Sequence, residues 1–116
     1  MNAESYEAIA VFITAPNAEE ATRLAEMLVG SQIAACVQLL PEMESVYRWQ
    51  GKVERQSEVL LIAKTTAAMF EQLEREVRAL HSYDTPEIVA VPIKLGSAPY
   101  LEWLAGCVGS RNAAAE

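Results

Sequence analysis

Histidine occurs once in the 116 residues, cysteine twice, and basic side chains are outnumbered 16 to 9 by acidic ones. Each scarcity removes a class of function. Cys36 and Cys107 are too far apart in sequence for a CxxC zinc or redox motif, and too few for a disulfide-dense scaffold. Two buried thiols in a reducing compartment are expected instead. The formal charge of −7 opposes nucleic acid and anionic membrane surfaces, which are held through Lys and Arg. No apolar run approaches the roughly 20 residues of a membrane helix. The opening MNAESYEAIAVFITAP lacks the basic segment that precedes the apolar part of a secretory signal. The expectation is a soluble, cytoplasmic protein that binds neither nucleic acid nor membrane. Catalytic motifs are missing as well. No Gly-rich loop follows the first apolar run, no GxSxG elbow occurs, and one His with one Asp (Asp84) cannot furnish a distributed triad. No catalytic residue is assigned, and the chain reads as a binding protein and not an enzyme.

What is present is a core. At 52% hydrophobic and 22% charged residues the chain is too apolar for disorder, and its length suits one domain. We place that domain at 8–109, with an extension over 1–7 and a tail over 110–116 that frays for want of an apolar anchor. Ala8 to Thr14 is a short β-branched and aromatic run ended by Pro16, a strand buried on both faces. Asn17 and Glu20 stand in a capping-box relation before a helix that turns Ala21, Leu24, Ala25 and Leu28 inward and stops at Gly30. Ile33 to Leu40 is a second strand, ended or bent at Pro41. Val46 to Glu54 alternates around Gln50-Gly51, the tip of a hairpin.

Val59 to Ala63 is a third strand. Thr65 or Thr66 caps a helix whose stripe is Phe70, Leu73, Val77 and Leu80, with Glu74 and Arg78 paired on its wet side. Ile88 to Ile93 is a fourth strand, its Pro92 sitting where no ladder N–H is required. Ser97 and Pro99 open a last helix with Leu101, Leu104 and Val108 inward and Gly109 at its close. The order β-α-β-β-α-β-α predicts an α+β, ferredoxin-like subunit with an extra C-terminal helix. Its sheet has a second apolar face that the remaining sequence cannot cover, so a homo-oligomer is expected. Tyr47 and Trp49, alternating on the hairpin arm, are the candidate subunit-interface residues. Tyr100 and Trp103 are expected to pack the last helix onto a sheet.

The segments TAP (14–16), AACVQLLP (34–41), SVYRWQGKVE (45–54), EVLLIAKTT (58–66), HSYDTPEIVAVPI (81–93) and YLEWL (100–104) resemble the CutA family of divalent ion tolerance proteins, in family order and spacing. The resemblance implies a homotrimer similar in build to the PII signalling proteins, with ligand clefts between subunits. It also implies a role in metal response and a link to divalent cations, copper among them, without fixing a mechanism. A small-ligand sensor and a trimeric hub that anchors another protein are the alternatives.

His81 opens the HxYxxPEI segment and is the candidate metal ligand. Some bacterial members carry a second histidine just before it and a cysteine at the position of Thr14. Here Leu80 and Thr14 stand there, which leaves one imidazole where copper wants several soft donors. The other reading of His81 is a cap on the preceding helix C-terminus. Lys64, Tyr83 and Glu87 are the candidate lining of an inter-subunit ligand cleft. Lys64 has an alternative role as an interface ion-pair partner of Glu58 or Glu87. No cofactor is assigned beyond a divalent cation such as copper.

Overall fold

Alternation along β1 (Ala8–Ala15) sends Ile9, Val11, Ile13 and Ala15 into one hydrophobic cluster and the intervening residues to the opposite face. The computed structural model of the chain describes residues 7–109. The tail expected to fray over 110–116, and all but the last residue of the 1–7 extension, therefore lie outside the described residues. Asn17 ends the following turn and accepts the Glu20 amide on its side-chain oxygen at 2.8 Å. That bond satisfies one of the free N–H groups that open α1 (Ala18–Gly30). Ala21, Leu24, Ala25 and Leu28 are buried beneath β1, as the periodicity predicts. The helix stop differs from expectation. Gly30 is the last helical residue, and the left-handed position that redirects the chain is Gln32, with φ of 61°.

The two middle strands are far longer than their apolar runs. β2 (Cys36–Trp49) and β3 (Lys52–Thr66) pair along their whole length, from Cys36 opposite Lys64 to Trp49 opposite Lys52. Of the expected strands at 33–40 and 59–63, residues 36–40 and 59–63 lie within the sheet, and 33–35 precede β2. Beyond them the ladder continues as a two-stranded arm. Its tip is a two-residue turn with Gln50 at φ 51° and Gly51 at φ 81°, the left-handed pair that matches strand twist. Pro41 bends β2 without ending it. Leu40 faces Leu60, Met43 faces Glu58, and Glu42 between them has φ 57°. One extra residue is thus accommodated in a bulge on β2.

A short 3₁₀ turn (Ala67–Met69) precedes α2 (Phe70–Leu80). Neither threonine caps it. Thr66 makes no capping bond, and the Thr65 hydroxyl donates to the Ile33 carbonyl at 2.6 Å, fastening β3 to the chain that enters β2. Leu73 and Val77 are buried with the core side chains of α1 and the sheet. Glu74 and Arg78 approach to 3.9 Å.

β4 (Ile88–Pro92) pairs antiparallel with β1, giving the four-stranded order β2-β3-β1-β4. The Ile93 amide donates to the Ala8 carbonyl, so the nitrogen of Pro92 lies on the open edge, where no donor is needed.

Two helices cover one face of this sheet, as the ferredoxin-like reading requires. α3 (Ala98–Cys107) packs on the other, where Leu104 and Val108 meet Ala8 and Ala35. The cover is partial. Leu40, Val89 and Val91 remain 46%, 50% and 44% exposed, while Phe12, Leu60 and Ile62 are half-buried. Tyr100 reaches the sheet through its hydroxyl, 3.6 Å from the Cys36 sulfur. Its ring lies 5.5 Å from that of Trp103, and both residues are exposed.

Candidate functional site

The segment between α2 and β4 wraps around the end of the sheet, and His81, at its start, ties it down. The His81 side chain is fully buried. Its Nε2 lies 2.7 Å from the Thr14 carbonyl oxygen, and its Nδ1 accepts the Tyr83 amide at 3.0 Å. These partners fix the tautomer, because a carbonyl can only accept and an amide can only donate. The proton is on Nε2. Glu20 approaches from α1, with Oε2 at 3.3 Å from Nδ1 and accepting the Ser82 amide at 2.8 Å. The capping box is therefore half made: Asn17 caps the helix, and Glu20 turns away to hold the loop. Among the described residues, no three His, Cys, Asp or Glu side chains are grouped closely enough to hold a metal ion.

Tyr83 sits two residues beyond His81, its ring 4.8 Å from the imidazole. It reaches across to β3, where its hydroxyl donates to Glu58 Oε2 at 2.9 Å. Burial, and then the hydrogen bond to Glu58, push the Tyr83 phenol above its ordinary value. Together with the base of the arm, this contact forms a groove of about 560 Å³ lined by Thr14, Tyr47, Trp49, Gln56, Glu58, Tyr83, Asp84 and Glu87, among others. Tyr47 is fixed there by donating its hydroxyl to Gln56 at 2.8 Å.

The candidate residues are thus partly gathered. Tyr83, Glu87, Tyr47 and Trp49 share the groove. Lys64 does not line it. It stands near the other end of β3, donating to Gln38 Oε1 at 2.8 Å, and neither Glu58 nor Glu87 pairs with it. Its neighbour across the ladder is Cys36, whose sulfur is 3.6 Å from the Tyr100 hydroxyl. That contact, ahead of burial, raises the Tyr100 phenol. Both cysteines are free and half-buried, where full burial was expected. Sequence reasoning missed Glu20 as a loop anchor and Glu58 and Asp84 as groove residues. A buried Glu on an otherwise apolar helical face was the available signal for the first, since such a carboxylate needs a partner.

Residues 9–107 match the family model for CutA1, the divalent ion tolerance protein. The chloroplastic CutA protein of Arabidopsis thaliana is 47% identical over 89% of this chain and 57% of its own length. The chain thus spans little more than half of that plant relative. Among solved structures, the divalent cation tolerance protein of Thermus thermophilus superposes with a TM-score of 0.87 at 46% identity, covering 88% of this chain and 99% of that one. The CutA of Archaeoglobus fulgidus gives 0.84 at 40% identity over 86% and 97%. These likenesses correct the expectation of a cytoplasmic protein. The plant relative is chloroplastic and the Archaeoglobus one is described as periplasmic, so the fold is compatible with several compartments. Among the described residues, no helix is long and apolar enough to cross a membrane. Matched over nearly its whole described length, the chain belongs to the CutA1 divalent ion tolerance family.

Proposed function

We propose that the chain works as a homotrimer that binds a divalent cation such as copper, weakly, or a small ligand, and does not turn it over. The observation that carries this reading is the sheet face left half covered by α3. Exposed Leu40, Val89 and Val91 on that face, and Val46, Trp49 and Val53 on the arm, form more open apolar surface than scattered residues on a monomer's surface. A two-stranded arm is also marginal in water without support. Further copies of the chain supply both needs. Tyr47 and Trp49 then lie at the subunit seam. Lys64, apart from Tyr83 and Glu87 within one chain, joins them only across a subunit boundary.

The bonding of His81 supports weak metal binding. A cation taking Nδ1 must displace the Tyr83 amide, and one taking Nε2 must break the contact with the Thr14 carbonyl. The accessible oxygen donors are the groove carboxylates. A small-ligand sensor finds support in the same groove, whose size suits an organic molecule.

The test is a Cu(II) competition titration of the intact protein beside His81→Ala, with Zn(II) in parallel and the mass read by light scattering. The mass of three chains and weak binding that survives the substitution are expected. A single-chain mass at micromolar concentration overturns the trimer. Tight stoichiometric binding lost in the variant overturns the weak-site reading and makes His81 the ligand.

A further inference from the structure

His81 holds the loop after α2 with a nitrogen that has two claimants. Nδ1 carries one lone pair, and the Tyr83 amide points its hydrogen into it at 3.0 Å. Glu20 Oε2 stands 3.3 Å from the same atom, although two facing acceptors repel until a proton lies between them. The Ser82 amide keeps that carboxylate in place. Both side chains are buried, the imidazole completely and Glu20 with 5% exposure, so solvent does not dilute the contact. Other charged groups stand outside it. Glu71, Glu74, Arg75 and Arg78 of α2 and Asp84 of the loop line the hollow on the outer side of His81. They are of both signs and exposed or half-buried. From β1 comes the Thr14 carbonyl, and Glu58 of β3 meets Tyr83 and not the imidazole.

The two claims on Nδ1 exclude each other. With the proton on Nε2 alone, Nδ1 accepts from Tyr83. Once a second proton, taken from water, sits on Nδ1, the charged ring donates to Glu20 and has no lone pair left for the Tyr83 amide. The Nε2–H bond to Thr14 is the same in both states, so the ring keeps its place and the loop is what changes. We propose that His81 is a proton-operated latch on the 81–87 loop, shut while the imidazole is neutral and opened when it is protonated against Glu20. Tyr83 carries the effect outward. Its hydroxyl bonds Glu58 Oε2 at 2.9 Å across the groove, so freeing its backbone loosens that wall and makes the shape of the groove depend on pH. Both ring nitrogens are engaged within the chain, and the latch works without a metal and whatever the groove binds.

The test is nuclear magnetic resonance of the intact, nitrogen-15-labelled protein, metal-free, between about pH 8 and pH 5, where an imidazole changes charge. His81 is the chain's single histidine, so the ring signals are its own. Nδ1 is expected to pass from unprotonated to protonated. The Tyr83 amide shift should follow with the same midpoint, and its exchange protection, corrected for the pH dependence of free amides, should fall about tenfold, the worth of one hydrogen bond. In His81→Gln, which has no proton to gain, the Tyr83 amide should stay constant over the same interval. Glu20→Gln keeps an oxygen for the Ser82 amide and removes the countercharge, so the transition should move to lower pH by about half a pH unit or more. Should His81→Gln fail to fold, the Glu20→Gln displacement decides, and a transition left where it was overturns the latch. A ring that gains its proton while the Tyr83 amide keeps its shift and protection overturns it. So does a ring that stays singly protonated until acid unfolds the protein, or a Tyr83 response of equal size in His81→Gln.

Discussion

Replacing His81 by alanine probes how the groove is held in place. The imidazole makes two hydrogen bonds inside the protein, to the Thr14 carbonyl and from the Tyr83 amide. Each is worth about 1 kcal/mol net, and a buried partner left unsatisfied costs about 1–3 kcal/mol. Water reaching the vacated space offsets part of this. The expected loss is therefore about 2–4 kcal/mol, large beside the stability of a small domain. Two further variants divide it. His81→Gln places an amide N–H near the former Nε2 and keeps the bond to Thr14. His81→Asn places an oxygen near the former Nδ1 and keeps the Tyr83 amide paired. Each should lose about half the alanine effect. The assay is urea unfolding at one fixed protomer concentration, since stability in an oligomer depends on it. An alanine variant within about 0.5 kcal/mol of the parent would refute the reasoning, because surface substitutions of no structural consequence fall in that range.

Gly51→Ala should cost about 1 kcal/mol, because φ is 81° with nothing within 4 Å of the added methyl, so the effect is conformational alone. A lower denaturant midpoint at unchanged slope reads it out. Leu104→Ala, at the fully buried contact of α3, should cost about 3 kcal/mol and release α3 from the sheet, seen as faster amide exchange over 98–107. The Tyr83 phenol titrates above its ordinary value in the folded protein, so its contribution to stability is complete below about pH 10 and is lost as pH rises through the folded value. Phenolate absorbance should show Tyr83 and Tyr100 ionising late, and Glu58→Gln should bring down the onset of Tyr83 alone.

The sheet and helices are legible in the sequence because their signals are local. A single period of 3.6 runs through Ala21, Leu24, Ala25 and Leu28, and uninterrupted apolar stretches mark β1 and the inner halves of β2 and β3. The arm is legible over 46–54, where alternation flanks the Gln50-Gly51 turn. The stretches that join it to the sheet are two-sided and mostly polar, so hydrophobic pattern alone leaves 41–45 of β2 and 55–58 of β3 unassigned. Tyr83 and Glu87, singled out through the family resemblance, line the groove, whereas Lys64 does not, and the geometry was not legible. Glu20 meets His81, and Glu58 meets Tyr83, across elements distant in sequence, and no spacing rule encodes such meetings. Lys64 illustrates the converse. Its place at the end of an apolar run suggested a cleft, yet register alone puts it beside Gln38 and Cys36.

The bulge between Leu40 and Met43 sets the parity of the arm. In the sheet, even-numbered residues of β2 share a face with even-numbered residues of β3, as Leu40 does with Leu60. Past the bulge it is odd-numbered Met43, Ser45 and Tyr47 that stand opposite Glu58, Gln56 and Glu54. Were the strands to pair without the bulge at unchanged chain length, Glu44, Val46 and Arg48 would take the groove side, while both aromatic rings turned to the opposite face. The extra residue is thus what lets odd-numbered arm residues of β2 share a face with even-numbered residues of β3. Deleting Glu42 closes the bulge, with Pro41 opposite Val59 and Met43 still opposite Glu58, so Tyr47 and Trp49 should keep their side while the arm loses bend and twist.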